Sequence, residues 1–149
     1  MTRQLPVGLL MFIAARDMEN RVVEAMRAAG VDDITLAQGR IAARIGPQGT
    51  RLTDLAEQAQ VSKQTATALV NRLEEAGYVE RVPDPGDGRA RLVRFSAKGE
   101  AVIPIARAEE ERIENEWERH LGGRRMRDLR ESLTMLREIT DPYRDAADT

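Results

Sequence analysis

The feature that most constrains this chain is a change of hydrophobic period between residues 53 and 95. Thr53 is a suitable N-cap for a short helix carrying Leu55, Ala56 and Ala59. Gln60-Val61-Ser62 allows only a tight turn before a second helix, which has Ala66, Leu69, Val70 and Leu73 on one stripe and stops at Gly77. The helical period then gives way to strand patterning. Tyr78 to Val82 reads as a strand, Pro83-Asp84-Pro85-Gly86-Asp87-Gly88 as turn chemistry, and Leu92 to Phe95 as the returning strand. The expectation is two short helices at a tight turn, followed at once by a β-hairpin with an exposed loop of about seven residues.

Helix patterns flank this unit. From Leu5 to Ala29, apolar residues recur every three or four positions (Leu9, Phe12, Ile13, Val22, Met26), and Gly30 supplies a C-terminal stop. Thr35-x-x-Gln38 fits a capping box with Ile34 before it, opening a helix through Ile45 that Gly46-Pro47 ends. Ser96 caps a long helix to about Leu121, which Pro104 is expected to bend. Gly122-Gly123 breaks it, and a last helix runs from Arg124 to about Thr140. The 149 residues suit one chain-long unit, with dimerisation helices at 5–29 and 100–143 and a winged helix-turn-helix at 34–99. The fold class expected is mainly α with a small β-hairpin wing.

Composition removes several functions. Cysteine is absent, which excludes disulfides, thiolate metal sites and catalytic thiols. One histidine, His120, makes neither a metal cage nor a triad. No glycine-rich phosphate loop or nucleophile elbow is present, so neither an enzyme nor a cofactor is expected. With aromatics at 3%, a stacking platform for single strands is not expected. No apolar run is long enough for a membrane span and no signal-peptide pattern is read, so the expected location is cytoplasmic. The net charge is −2, yet residues 60–98 carry seven basic against five acidic side chains.

The buried stripe on the second short helix directs Gln64, Ala68 and Asn71 outward, with Thr67 and Arg72 flanking them. That face is short and polar enough to enter a major groove about 12 Å wide. Ser62, Lys63 and Thr65 occupy the first turn, where free N–H groups favour a phosphate. Arg89 and Arg91 lie on the hairpin within reach of a minor groove or its phosphates, and Asp87 is spaced to hold Arg89 by a charge-assisted hydrogen bond. Double-stranded DNA is therefore the partner expected.

Residues 35–99 resemble the MarR family of bacterial transcriptional regulators. The resemblance rests on Leu55-Ala56, Val61 to Thr67, Leu69 to Arg81, Asp84 to Ala90 and Phe95 to Gly99. It implies a homodimer whose N- and C-terminal helices interlock, reading a palindrome as a repressor released by a small aromatic or anionic ligand. By position, Gln64, Thr67, Ala68 and Asn71 would face bases, while Ser62, Lys63, Thr65 and Arg72 would position phosphates. Arg89 would be the wing arginine. Independently, Leu9, Ile13, Ile113, Trp117, Leu121, Leu129, Leu133, Leu136 and Ile139 are more apolar surface than one small winged unit covers, unless these helices pack wholly on their own chain. Gly39 stands where the family often has a bulky residue. Either close helix packing explains it, or the gap leaves room for a ligand beside Phe12, with Arg16 or Arg40 meeting a carboxylate. A winged-helix protein-interaction module without specific DNA binding is the alternative function.

Overall fold

The computed structural model describes residues 3–147. Helix α1, Val7–Ala28, is followed by α2, Leu36–Ala42, a two-residue strand β1, Thr50–Arg51, and α3, Leu52–Ala59. Then come α4, Lys63–Glu75, strands β2, Val79–Asp84, and β3, Asp87–Phe95, and three helices: α5, Ala97–Leu121, α6, Gly123–Thr140, and α7, Arg144–Ala147. The winged helix-turn-helix is thus formed, within a mainly helical chain.

Local chemistry accounts for most boundaries. At α2, Thr35 Oγ1 accepts from the Gln38 N–H at 3.2 Å while Gln38 Oε1 accepts from the Thr35 N–H at 2.7 Å, a complete capping box. Ser62 and Ser96 cap α4 and α5 by accepting from the Thr65 and Gly99 N–H groups. Gly77 has φ +84°, and the Tyr78 N–H reaches back to the Leu73 carbonyl, which turns the chain off α4 into β2.

Three local expectations are corrected. Helix α3 starts at Leu52 with Arg51 as N-cap, two residues ahead of the expected cap Thr53, because Thr50–Arg51 pairs with Leu92–Val93 and the helix springs directly from that strand. The sheet therefore has three strands, in the order β1-β3-β2. Helix α2 ends at Ala42, since Arg44 and Ile45 close tighter turns onto Ile41 and Ala42. Finally, the wing strands run farther than expected and meet at a two-residue turn, Pro85-Gly86. Their register jumps from Pro83↔Arg91 to Asp84↔Asp87, so Gly88, Arg89 and Ala90 bulge out of the ladder.

The core lies between the helix-turn-helix and the helices above it. Leu55, Ala66, Val70, Leu73, Tyr78, Val79 and Val93 from the winged unit join Met26 of α1, Ile34 and Ile41. Ile113 of α5 is fully buried, and Arg21 of α1 bridges to Glu116 of α5 at 2.7 Å. Apolar side chains at the two chain ends remain uncovered: Val7 is 68% exposed and Ile139 84%, with Leu10, Phe12, Leu133, Met135 and Leu136 between them. No helix among the described residues is long and apolar enough to cross a membrane.

Candidate nucleic-acid interface

Helix α4 exists because Ala66, Val70 and Leu73 are buried beneath it. Its opposite face is consequently open, and Gln64, Ala68, Asn71 and Arg72 are exposed along it, with Thr67 half-buried at the margin. Asn71, however, is not free. Its Oδ1 accepts from Arg81 Nη2 at 2.8 Å, and the same guanidinium pairs with Glu74 at 2.7 Å. Thr67 Oγ1 donates to the Lys63 carbonyl at 2.8 Å, which leaves its methyl and acceptor lone pairs for any ligand. Gln64 and Ala68 carry no such constraint.

At the start of α4, the Ser62 hydroxyl is committed to the cap: it accepts from the Thr65 N–H and donates to Thr65 Oγ1 at 2.9 Å. Thr65 keeps its own hydroxyl proton, and Lys63 is exposed without a partner among the described residues. The tight turn before it rests on Gln60, which closes α3 in the left-handed region at φ +55°. Its amide donates to the Glu57 carbonyl at 2.6 Å.

On the wing, Arg89 and Arg91 are exposed and have no ion-pair partner among the described residues. The expected bond from Asp87 to the Arg89 side chain is not present. Asp87 Oδ1 instead accepts from the Arg89 backbone N–H at 3.1 Å, because the carboxylate two residues back meets the main chain first in this bulge. The guanidinium nearest Asp87 is that of Arg51, 4.0 Å away. Two residues that sequence reasoning missed hold the wing. Asp84 accepts from the Gly86 N–H at 2.9 Å and from Arg51 at 2.7 and 2.9 Å. These bonds, the Gly86 donor foremost and then Arg51, hold the Asp84 carboxyl below the usual carboxylate range. No sequence period marks a two-residue strand, so Arg51 gave no signal as a wing support.

The four residues considered for a small ligand are only partly assembled. Phe12, Arg16 and Glu19 follow one face of α1, and Arg16 lies 5.9 Å over the Phe12 ring. Arg40 is drawn to this face by Glu19, at 2.7 Å, so its charge is already matched. A Cβ at Gly39 would meet nothing within 4 Å, so no close packing within this chain accounts for the glycine there. Two hollows lie elsewhere, at the helix-turn-helix turn and behind the wing beside Tyr143. Among the described residues, no group of three or more His, Cys, Asp or Glu side chains is placed to hold a metal ion.

A family model described as MarR family matches residues 32–90. The HTH-type transcriptional regulator FarR of Neisseria gonorrhoeae is 31% identical over 110 residues, spanning 73% of this chain and 75% of that regulator. The HTH-type transcriptional regulator BilQ of Clostridioides difficile is 33% identical over 70 residues, 47% of this chain and 45% of BilQ, so that match spans less than half of its relative. A crystal structure of MarR superposes with a TM-score of 0.74 at 27% identity, covering 90% of this chain and 96% of that one.

Proposed function

The chain belongs to the MarR family, whose members are DNA-binding transcriptional regulators rather than enzymes, and from that premise we propose that it acts as a homodimeric repressor reading a palindromic operator. The observation that carries this reading is the open polar face of α4 together with two exposed wing arginines, Arg89 and Arg91, that have no ion-pair partner among the described residues. Gln64, Thr67, Ala68 and Asn71 meet base edges, Lys63, Thr65 and Arg72 meet phosphates, and Ser62 acts as the cap that orients them. Two copies related by a two-fold axis place their α4 helices about 34 Å apart, one turn of duplex. The uncovered apolar faces of α1 and α6 support the pairing.

Fluorescence anisotropy against DNA from upstream of the gene, with scrambled duplex as control, tests the reading. Specific binding is expected to weaken steeply with salt, and Arg89→Ala is expected to lower affinity and reduce the salt slope by about two, one for each copy in the dimer. Weak binding equal for both duplexes, and indifferent to Arg89→Ala, would favour a protein-interaction module.

Release by a small aromatic anion is the finer part of the proposal. The exposed Phe12 ring, the Arg16 cation over it and the open space at Gly39 support it. Arg16 supplies the charge in this site, since Arg40 is matched by Glu19. Salicylate is expected to dissociate the wild-type complex with DNA and to act less on Gly39→Leu; equal action on both proteins would remove this site.

A further inference from the structure

We propose that Arg81 fixes the hydrogen-bonding polarity of Asn71 and thereby sets which bases α4 accepts at that position. This rests on the reading of α4 as the base-contacting helix. An arginine offers only donors, so the Asn71 atom 2.8 Å from Arg81 Nη2 is the amide oxygen. Glu74 holds the other arm of the same guanidinium at 2.7 Å, and Arg81 itself is largely covered, with 18% of its side chain exposed. The three side chains form a brace from β2 onto the exposed face of α4. Within it, the Asn71 oxygen points to the protein and the amide NH2 is the group left to face a ligand.

That polarity has a direct consequence for base reading. A free asparagine pairs with adenine through both amide atoms, accepting from N6–H and donating to N7. With its oxygen turned to Arg81 and one of that oxygen's two lone pairs occupied, Asn71 presents its NH2 donor to the groove. The outward NH2 fits guanine O6 or N7 and thymine O4; at adenine it can still donate to N7, but the N6–H loses the acceptor that a free asparagine supplies, and at cytosine it meets the N4–H2 donor to donor. Arg81 is therefore a positioning residue for specificity, although it lies on a strand and is not aimed at the groove.

Selection from a pool of random duplexes, with base preferences read at each position, tests this in the full-length protein. Wild type is expected to favour guanine or thymine at one position of each half-site, and Asn71→Ala to flatten that position alone. In Arg81→Ala the same position is expected to move toward adenine, by on the order of fivefold relative to guanine or thymine, with the other positions unchanged. Arg81→Lys, which restores a donor, is expected to return the wild-type preference. Melting temperatures measured in parallel separate specificity from folding. If Arg81→Ala fails to fold, Glu74→Gln loosens the same brace and is expected to shift the preference in the same direction. A preference profile identical in all variants, or an equal loss of affinity for every sequence, would overturn the proposal and leave Arg81 a structural brace. A wild-type protein that selects no motif would overturn the DNA-reading function itself, and this proposal with it.

Discussion

Tyr78 sits at the point where α4 hands over to β2, and its surroundings show how one side chain can join three segments. Its ring is buried, its hydroxyl donates to Asp33 in the loop before α2, and the Lys98 ammonium lies 4.4 Å over its face from α5. Burial, reinforced by the Asp33 carboxylate, pushes the phenol up to about 12. A phenol that keeps its proton longer when folded contributes stability below its ordinary value of about 10, and that contribution is lost as pH rises through about 12. Two outcomes are expected. In Tyr143→Phe, which leaves Tyr78 as the one tyrosine, phenolate absorbance should stay low until about pH 12. Tyr78→Phe should cost about 1.5 kcal/mol in chemical denaturation at neutral pH, from the lost bond to Asp33. A normal titration in the first variant would contradict the burial argument.

At the scale of elements, two helical glycines have opposite reasons to be there. Gly99, in the first turn of α5, lies against the start of β2: a Cβ would fall 2.0 Å from the Tyr78 carbonyl oxygen and 3.0 Å from the Phe95 ring. The main chains of α5 and β2 can approach that closely only without a side chain. Gly39 in α2 meets no such obstacle. Thermal denaturation is therefore expected to place Gly99→Ala about 2 to 3 kcal/mol below wild type. Gly39→Ala is expected about 0.5 to 1 kcal/mol above it, the ordinary gain from removing a helix-interior glycine. Both positions were visible as glycines in a helical pattern. Only the neighbouring backbone distinguishes them, and that neighbour comes from a different element.

At the scale of the whole molecule, apolar side chains stay exposed on both terminal helices. Helix α6 has no buried residue, and the first half of α1 is exposed all round. Leu133, Leu136 and Ile139 follow one another at three-residue spacing along α6, while Leu9, Leu10, Phe12 and Ile13 crowd α1. Apolar surface of this extent is costly to leave in water, at roughly 25 cal/mol per Å². Light scattering after size exclusion is expected to find a dimer. Leu133→Asp combined with Leu136→Asp is expected to shift it to monomer and to weaken binding to a two-half-site duplex far more than to a single half-site. A variant that remains dimeric would place the interface elsewhere.

Much of this architecture is legible residue by residue. The Thr35–Gln38 box, the Ser62 and Ser96 caps, the Gly77 turn and the stripe of Ala66, Val70 and Leu73 all act within a few positions of themselves, so local spacing determines them. The outward face of α4 follows from the same spacing. What the tertiary structure alone decided joins residues far apart in the chain: Thr50–Arg51 becomes a strand only through Leu92 and Val93, and Arg51 supports the wing only through Asp84. Asn71 acquires its polarity only from Arg81, on the next element. A period reports which face of an element is buried; it carries no information about which distant donor an exposed amide will meet, because that depends on how the elements are brought together.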